Sequence, residues 1–399
     1  MTYQICTQCI MDTTDPDITF DDLGVCNHCK NFDIIKEHYW FPHNGQERLQ
    51  KIVQEIKEYG KDKEYDAIIG LSGGIDSSYL AYWAAREGLR LLAVHVDGGW
   101  NSELAVKNIE NIVKKLNIDL YTFVVDWPEM RDVQLSFFKA NVANQDVPQD
   151  HAFFAALYNF AIQKNIKYVL NGSNLATESI LPRAWGHNAM DIAHLKGIHK
   201  RFGTLILKKF PLVSFFKYYI YYPYIKKMEV IRPLNYMDYN KEKSMEIMSK
   251  ELGWTYYGGK HYESRFTKFF QAFWLPEKFG YDKRKAHLSS LIVSGQISRK
   301  DALKEMEKPL YEEKELDRDK ELIAKKLGIS KQELENLFRE PCHSFKDYPN
   351  NEWKVEMFRR LFVMKSHLKT LFLAPHRLIF KVLSRLYRFV KAISVSKSS

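Results

Sequence analysis

Leu71-Ser72-Gly73-Gly74-Ile75-Asp76-Ser77-Ser78 lies between a short apolar run, Tyr65 to Leu71, and a segment with helical spacing, Ser77 to Glu87. That placement decides the fold. A strand turning through two glycines into a helix opens a parallel α/β sheet, whose ligands sit beyond the carboxyl ends of the strands. The glycines let backbone N–H groups close on phosphate oxygens, the hydroxyls of Ser72, Ser77 and Ser78 add donors, and the helix N-terminus favours an anion. No Lys follows the glycines, so this is not the G-x-x-x-x-G-K-[ST] loop. Asp76 would repel a polyphosphate unless a Mg²⁺ bridged the two.

Outward from the loop, Leu89 to Asp97, Asp119 to Asp126, Ile166 to Gly172 and Met228 to Leu234 read as further buried strands. Helical spacing over Ser102 to Asn117 and Asp150 to Lys164 supplies crossovers between them, as right-handed parallel connections require. Beyond residue 240 the pattern predicts helices only, over 241–252, 277–291, 298–307 and 312–339, with Ser298 or Asp301 as a start and Gly328 as a stop or kink. Two amphipathic helices broken at Pro375 are expected over 353–393.

Four of the five cysteines fall in the first 29 residues as Cys6-x2-Cys9 and Cys26-x2-Cys29. Two such turns present four thiolates to one tetrahedral ion, so a structural Zn²⁺ is expected, with His28 as an alternative ligand. A patch this small has little core, and metal binding would supply on the order of 10 kcal/mol of its folding free energy. Five cysteines in 399 residues form no disulfide framework.

The formal net charge of +10 is unevenly placed. Residues 353–399 hold eleven Lys or Arg and one acid, whereas residues 1–352 balance at 48 basic and 48 acidic. A neutral body argues against a nucleic-acid partner. Arg377, Lys381, Arg385 and Arg388 recur at helical spacing among Leu378, Val382, Leu386 and Phe389. Such a basic amphipathic helix suits peripheral contact with anionic lipid, or else packing on the body or a partner subunit. The aromatic stretch Phe210 to Ile225 is a second interfacial candidate. No uncharged apolar run reaches the roughly 18 residues of a membrane span, and Met1 to Cys9 lacks the form of a secretory signal. The expected location is the cytoplasm, at the inner face of the membrane if the tail binds lipid.

Ser72 to Ser77 (SGGIDS) resembles the pyrophosphatase loop, or PP-loop, of enzymes that cleave ATP between its α and β phosphates. The resemblance implies an adenine nucleotide alpha hydrolase-like α/β fold, ATP bound by Ser72, Gly73, Gly74, Asp76, Ser77 and Ser78, and an AMP-forming reaction. It extends to Asp97, where the family binds the nucleoside, and to Gly172 and Glu178 in a Gly-rich turn with an acid near ATP and metal. Taken singly, Asp97 or Glu178 also reads as a surface carboxylate.

Two subfamilies join a four-cysteine ribbon to this loop: tRNA-modifying thiolases, and N-acetyl sugar amidotransferases of surface-polysaccharide biosynthesis. Sulfur transfer needs further cysteines near ATP. Residues 30–341 contain none. Tyr257 to Leu291 and Leu181 to Ile198 are similar to the amidotransferases, and with the ribbon and loop this covers nearly all of residues 1–310. The resemblance implies an ATP-dependent amidotransferase turning the acetamido group of a nucleotide-linked sugar into an acetamidine, in lipopolysaccharide O-antigen or related glycan biosynthesis. Lys260, His261, Lys283 and Arg284, with Asp76, are the candidate catalytic residues, and Glu263, Lys268 and His287 complete a polar set facing the nucleotide. Against this, Lys283 to Lys285 also reads as a solvated basic turn. A glutaminase needs a nucleophilic Cys; the ribbon cysteines are committed to metal and Cys342 lies outside any suitable context, so ammonia is expected from a separate glutaminase and cyclase-like partner. The expected divisions are a ribbon over 1–45, the ATP-binding domain over 46–240, a helical substrate and pyrophosphate side over 241–350, and the basic tail over 351–399. A non-catalytic nucleotide-binding role is the third reading, and it would predict a degraded loop.

Overall fold

Five strands form where the sequence places them: β1 (Ala67–Gly70), β2 (Leu91–Asp97), β3 (Asp119–Val124), β4 (Tyr168–Leu170) and β5 (Glu229–Ile231), but β3 and β5, expected as buried strands, are largely exposed because they lie at the two edges of the sheet. All pairings are parallel, in the order β3-β2-β1-β4-β5. Ala67 pairs with Leu91 on one side and Tyr168 on the other, so β1 is central and its apolar residues are fully buried. The chain lays β2 and β3 to one side of β1, then returns to lay β4 and β5 on the other. The strand order therefore reverses between β1 and β4, and the crevice for a ligand opens at their carboxyl ends.

These observations come from a computed structural model that describes residues 2–259 and 262–358. The chain divides into two units, residues 1–350 and 351–399. Of the second, residues 352–358 are helical. The two helices expected to run to residue 393 lie almost wholly outside the described residues, as do Lys260 and His261. No helix among the described residues is long and apolar enough to cross a membrane.

Within the first unit, helices α1 (Asn27–Tyr39) and α2 (Gln46–Gly60) precede the sheet, and α3 (Ile75–Arg86), α4 (Glu103–Leu116), α5 (Trp127–Ala140) and α6 (Val147–Gln163) connect its strands. Val53, Ile56, Leu80, Met248 and Trp254 pack in one core against the sheet. The second core gathers α5, α6 and later helices around Phe137, Phe138 and Trp274, where the rings of Phe138 and Trp274 meet edge-on at 4.5 Å.

The helical reading beyond residue 240 holds, with two interruptions. The span 277–291 is Leu275–Phe279 and Lys283–Val293 separated at Gly280, and 312–339 is Glu313–Leu327 and Lys331–Arg339 separated at Gly328. The Ser298 hydroxyl accepts from the Asp301 amide to start Arg299–Met306. The aromatic segment winds as a π-helix over Lys217–Ile225, burying Tyr222 and exposing Phe216, Tyr224 and Ile225.

Two buried carboxylates of α5 hold a loop that sequence patterning does not reveal. Glu129 accepts from the amides of Lys208, Lys209 and Phe210, and Asp132 from those of Thr204 and Leu205 and from the Thr204 hydroxyl, with His199 Nε2 at 2.7 Å. Truncating the fully buried Trp274 to Ala is expected to cost about 3 to 5 kcal/mol, read as a lower guanidinium unfolding midpoint.

Candidate active site and metal centre

The loop after β1 folds on itself through its own hydroxyls. Ser72 and Ser77 Oγ atoms lie 3.1 Å apart, the Gly74 amide donates to Ser72 Oγ (3.2 Å), and Ser77 Oγ donates to the Gly74 carbonyl (3.2 Å). Gly73 adopts φ +83, and a Cβ there would lie 2.7 Å from the Ala105 carbonyl oxygen. Only glycine combines that conformation with that approach. The Gly73 carbonyl in turn accepts from the indole N–H of buried Trp254 at 2.9 Å. Helix α3 then starts with Gly74 as its N-cap, which brings no side chain of its own to cap the end, while the Tyr257 hydroxyl meets the Ile75 amide. Such an end accepts an anion.

The loop after β4 comes to meet it. A Cβ on Gly172 would lie 3.1 Å from the Asp76 carbonyl carbon and the Ser77 amide nitrogen, so the two turns pack backbone against backbone. Asp76 Oδ1 accepts from the Tyr239 hydroxyl (2.6 Å) and from Asn174 Nδ2 (3.3 Å). Burial, then the Asp76 carboxylate, pushes the Tyr239 phenol well above its ordinary 10.0; burial, then Glu263 and Asp76, does the same to Tyr257. Both phenols therefore stay protonated and act as donors.

These turns floor a crevice of about 580 Å³. Its wall includes Ser72, Gly74, Asp76, Ser77, Gly172, Glu178, Glu263 and Lys283. Sequence reasoning passed over His95, Asn101, Asp146, Asp150, Lys241 and Tyr257, which also line it. His187 is there too, its Nε2 3.0 Å from Asp191. The five wall carboxylates, Asp76, Asp146, Asp150, Glu178 and Glu263, outnumber its three fixed cations, Arg183, Lys241 and Lys283. A polyphosphate entering this acidic wall needs a divalent cation between itself and the carboxylates. The helix end, the glycine cradle and the acidic rim thus fit ATP with Mg²⁺.

Other expected residues stand elsewhere. Ser78 is fully buried inside α3, its Oγ without a hydrogen-bond partner among the described residues, so it faces the core. Asp97 is outside the wall and accepts from the Gly99 amide (2.8 Å) and Asn101 Nδ2 (3.1 Å), ordering the turn that carries Asn101. Arg284 is turned away, donating to both Asp282 oxygens and to the Lys308 carbonyl (2.7 Å). Lys268 pairs with Glu315. His151 is satisfied in the core, between the Ala189 carbonyl and the Val213 amide.

The N-terminal cysteines converge. Cys6, Cys9, Cys26 and Cys29 are all fully buried, and their Sγ atoms lie within 4.8 Å of one another. The Cys6–Cys29, Cys9–Cys26 and Cys26–Cys29 pairs stand at 3.9, 3.7 and 3.7 Å. Zn–S bonds of about 2.3 Å in a tetrahedron require S···S edges of about 3.8 Å, so the set fits one Zn²⁺. Amides of Cys9 and Cys26 donate to Cys6 Sγ and that of Met11 to Cys9 Sγ, which favours thiolates. His28 is not among them: its Nε2 lies 2.6 Å from Asp15. Arg299 bonds the carbonyls of Cys6 and Cys9, and Ser289 Oγ accepts from the Ile10 amide. The cluster is thereby fixed, through Ser289, to the helix that begins at Lys283 on the crevice wall and, through Arg299, to the helix that follows it.

Three outcomes test this geometry. Cys26→Ser should abolish stoichiometric zinc, measured by atomic absorption, and open residues 1–45 to limited proteolysis. Trp254→Phe removes the donor to Gly73 and should weaken Mg²⁺-ATP binding about tenfold by calorimetry, the equivalent of one lost buried hydrogen bond. Chelating Mg²⁺ with EDTA should weaken ATP binding by at least about tenfold, because the wall carboxylates then meet the phosphates directly.

Residues 46–212 match the NAD synthase family, and residues 263–361 match the C-terminal domain of LPS biosynthesis protein WbpG-like proteins. No curated protein matches the chain. Among solved structures, an NMN synthetase from Francisella tularensis aligns at 19% identity over 56% of this chain and 92% of that one, with a TM-score of 0.28. An NH3-dependent NAD synthetase from Campylobacter jejuni aligns at 17% identity over 65% and 96%, with a TM-score of 0.30. A glutamine-dependent NAD+ synthetase from Acinetobacter baumannii aligns at 18% over 33% and 26%, with a TM-score of 0.27. The fold assignment rests on the sheet order, the loop and the family matches, not on these alignments. The two family matches support the resemblance of this chain to the PP-loop enzymes of surface-polysaccharide biosynthesis.

Proposed function

We propose that the protein is an ATP-dependent amidotransferase acting on the acetamido group of a nucleotide-linked N-acetyl sugar. One observation carries the choice of nitrogen over sulfur: the crevice wall holds no thiol among the described residues. Cys342, the cysteine outside the ribbon, is exposed and its Sγ donates to the Lys278 carbonyl at 3.3 Å. The WbpG-like match over residues 263–361 supports a place in lipopolysaccharide biosynthesis.

The acetamido oxygen attacks the α-phosphorus of ATP, an O–P bond forms, and the bond to the bridging oxygen of the β-phosphate breaks to release pyrophosphate. Ammonia then adds to the activated carbon, the C–O bond breaks with its electrons leaving on AMP, and the amidine keeps the proton that makes it a cation. In this scheme the α3 N-terminus with Ser72, Gly74 and Ser77 holds the leaving phosphates, and Lys283 is placed on the same wall to neutralise charge. Mg²⁺, when bound, offsets phosphate charge against Asp76 and its neighbouring carboxylates. No residue needs to act as a covalent nucleophile. Ammonia comes from a separate glutaminase partner, and the basic tail holds the enzyme at the inner face of the membrane.

The test is mass spectrometry of N-acetyl sugar nucleotides incubated with the protein, ATP, Mg²⁺ and ammonium. The expected product is lighter by the difference between oxygen and NH and appears with equimolar AMP. AMP release that requires transfer RNA and a sulfur donor would instead establish the thiolase reading.

A further inference from the structure

A second cavity of about 930 Å³ adjoins the ATP crevice. The two share Asn144, Leu181, Arg183, Gly186 and His187 as a common wall. Asn144 Nδ2 donates to the His187 carbonyl at 3.1 Å, which ties the two sides of that wall together. Pockets for single small molecules span about 300 to 1,000 Å³, so the crevice suits one nucleotide and its neighbour suits another.

The two spaces differ in their charge. The crevice wall is acidic, whereas the second cavity has Lys346 and the shared Arg183 against the single carboxylate of Asp17, with its other cation, Lys30, paired to Asp21 at 2.8 Å. A nucleotide that brings its own divalent cation belongs in the first; a diphosphate without one is drawn to the second. The cavity also offers a flat aromatic face, since the Phe345 ring stacks on His187 with centroids 4.5 Å apart and planes 21° apart. Behind it His194 is fully buried in the wall, and neither ring nitrogen makes a well-aligned hydrogen bond among the described residues. Burial, then the neighbouring His187, lowers the His194 pKa to about 3, so its ring is neutral and able to accept or donate to a polar ligand.

We propose that this second cavity binds the nucleoside diphosphate portion of the substrate, with Lys346 and Arg183 on the diphosphate and Phe345 beside the base, so that the sugar reaches ATP across the wall at Arg183 and His187. The substrate class rests on the function proposed above; the location rests on the cavity itself.

Calorimetric titration of the full-length protein with UDP, in saturating Mg²⁺ and α,β-methylene ATP, separates the two. UDP should bind with the analogue in place. Lys346→Glu should weaken UDP at least tenfold and leave the analogue's affinity within twofold, and Lys346→Arg should restore UDP binding. Displacement of the analogue by UDP, an unchanged UDP affinity in Lys346→Glu, or inorganic diphosphate binding as tightly as UDP would each overturn the assignment. UDP binding that responds to Lys346, with no amidine formed from any sugar nucleotide, would uphold the cavity and sink the amidotransferase reading. An amidine formed equally well by Lys346→Glu and wild type would do the reverse.

Discussion

The architecture turns on how closely the backbone approaches itself at Gly73. A residue at φ +83 with the Ala105 carbonyl oxygen 2.7 Å from the place of its missing Cβ admits no side chain without a backbone shift. Because the chain can fold back this tightly, α3 begins just beyond the carboxyl end of β1, and its first residues line the sheet's crevice. Trp254, from the region after the last strand, reaches the same glycine's carbonyl, so the C-terminal helices and the loop are positioned by one another. Gly172 repeats the arrangement from the far side, where the turn after β4 rests on Asp76 and Ser77. Two glycines thus join the two halves of the sheet where their order reverses.

Charge then divides the labour. The acidic crevice is a poor site for bare phosphate and a good one for phosphate carrying a divalent ion, whereas the adjoining space is basic and flanked by an aromatic ring. A chain whose first 352 residues balance in charge nonetheless gathers five carboxylates on one side of this wall and a single one on the other. Composition alone conceals such a separation.

The sheet was readable because its three inner strands, β2, β1 and β4, are continuous apolar runs with turn residues at their ends, the pattern of strands covered on both faces, whereas the edge strands β3 and β5 are largely exposed. Helix α5 was not, since it is buried on several sides and carries Glu129 and Asp132 inward to the backbone of residues 204–210, which breaks any polar and apolar striping. In the site, Gly73, Gly74 and Asp76 were legible because the local spacing of the strand-to-helix turn fixes them, whereas Gly172 and Glu178 were reached only through the family resemblance. Lys283 and Arg284 were read together, yet neighbours on a helix point about 100° apart, so with Lys283 on the crevice wall Arg284 turns to Asp282 and Lys308. Asp146, Asp150 and Lys241 escaped notice because only tertiary folding brings them to the crevice.

The four-cysteine cluster has a temporal consequence. Its cysteines end at residue 29, yet it is held in place by Ser289 and Arg299, partners 279 and 290 residues further along the chain. At ribosomal rates of about 5 to 20 residues per second, those partners emerge on the order of tens of seconds after the cysteines. A metal held by the four thiolates would keep the ribbon folded over that interval, and the wall that carries Lys283 is completed only when the helices of Ser289 and Arg299 reach the cysteine turns.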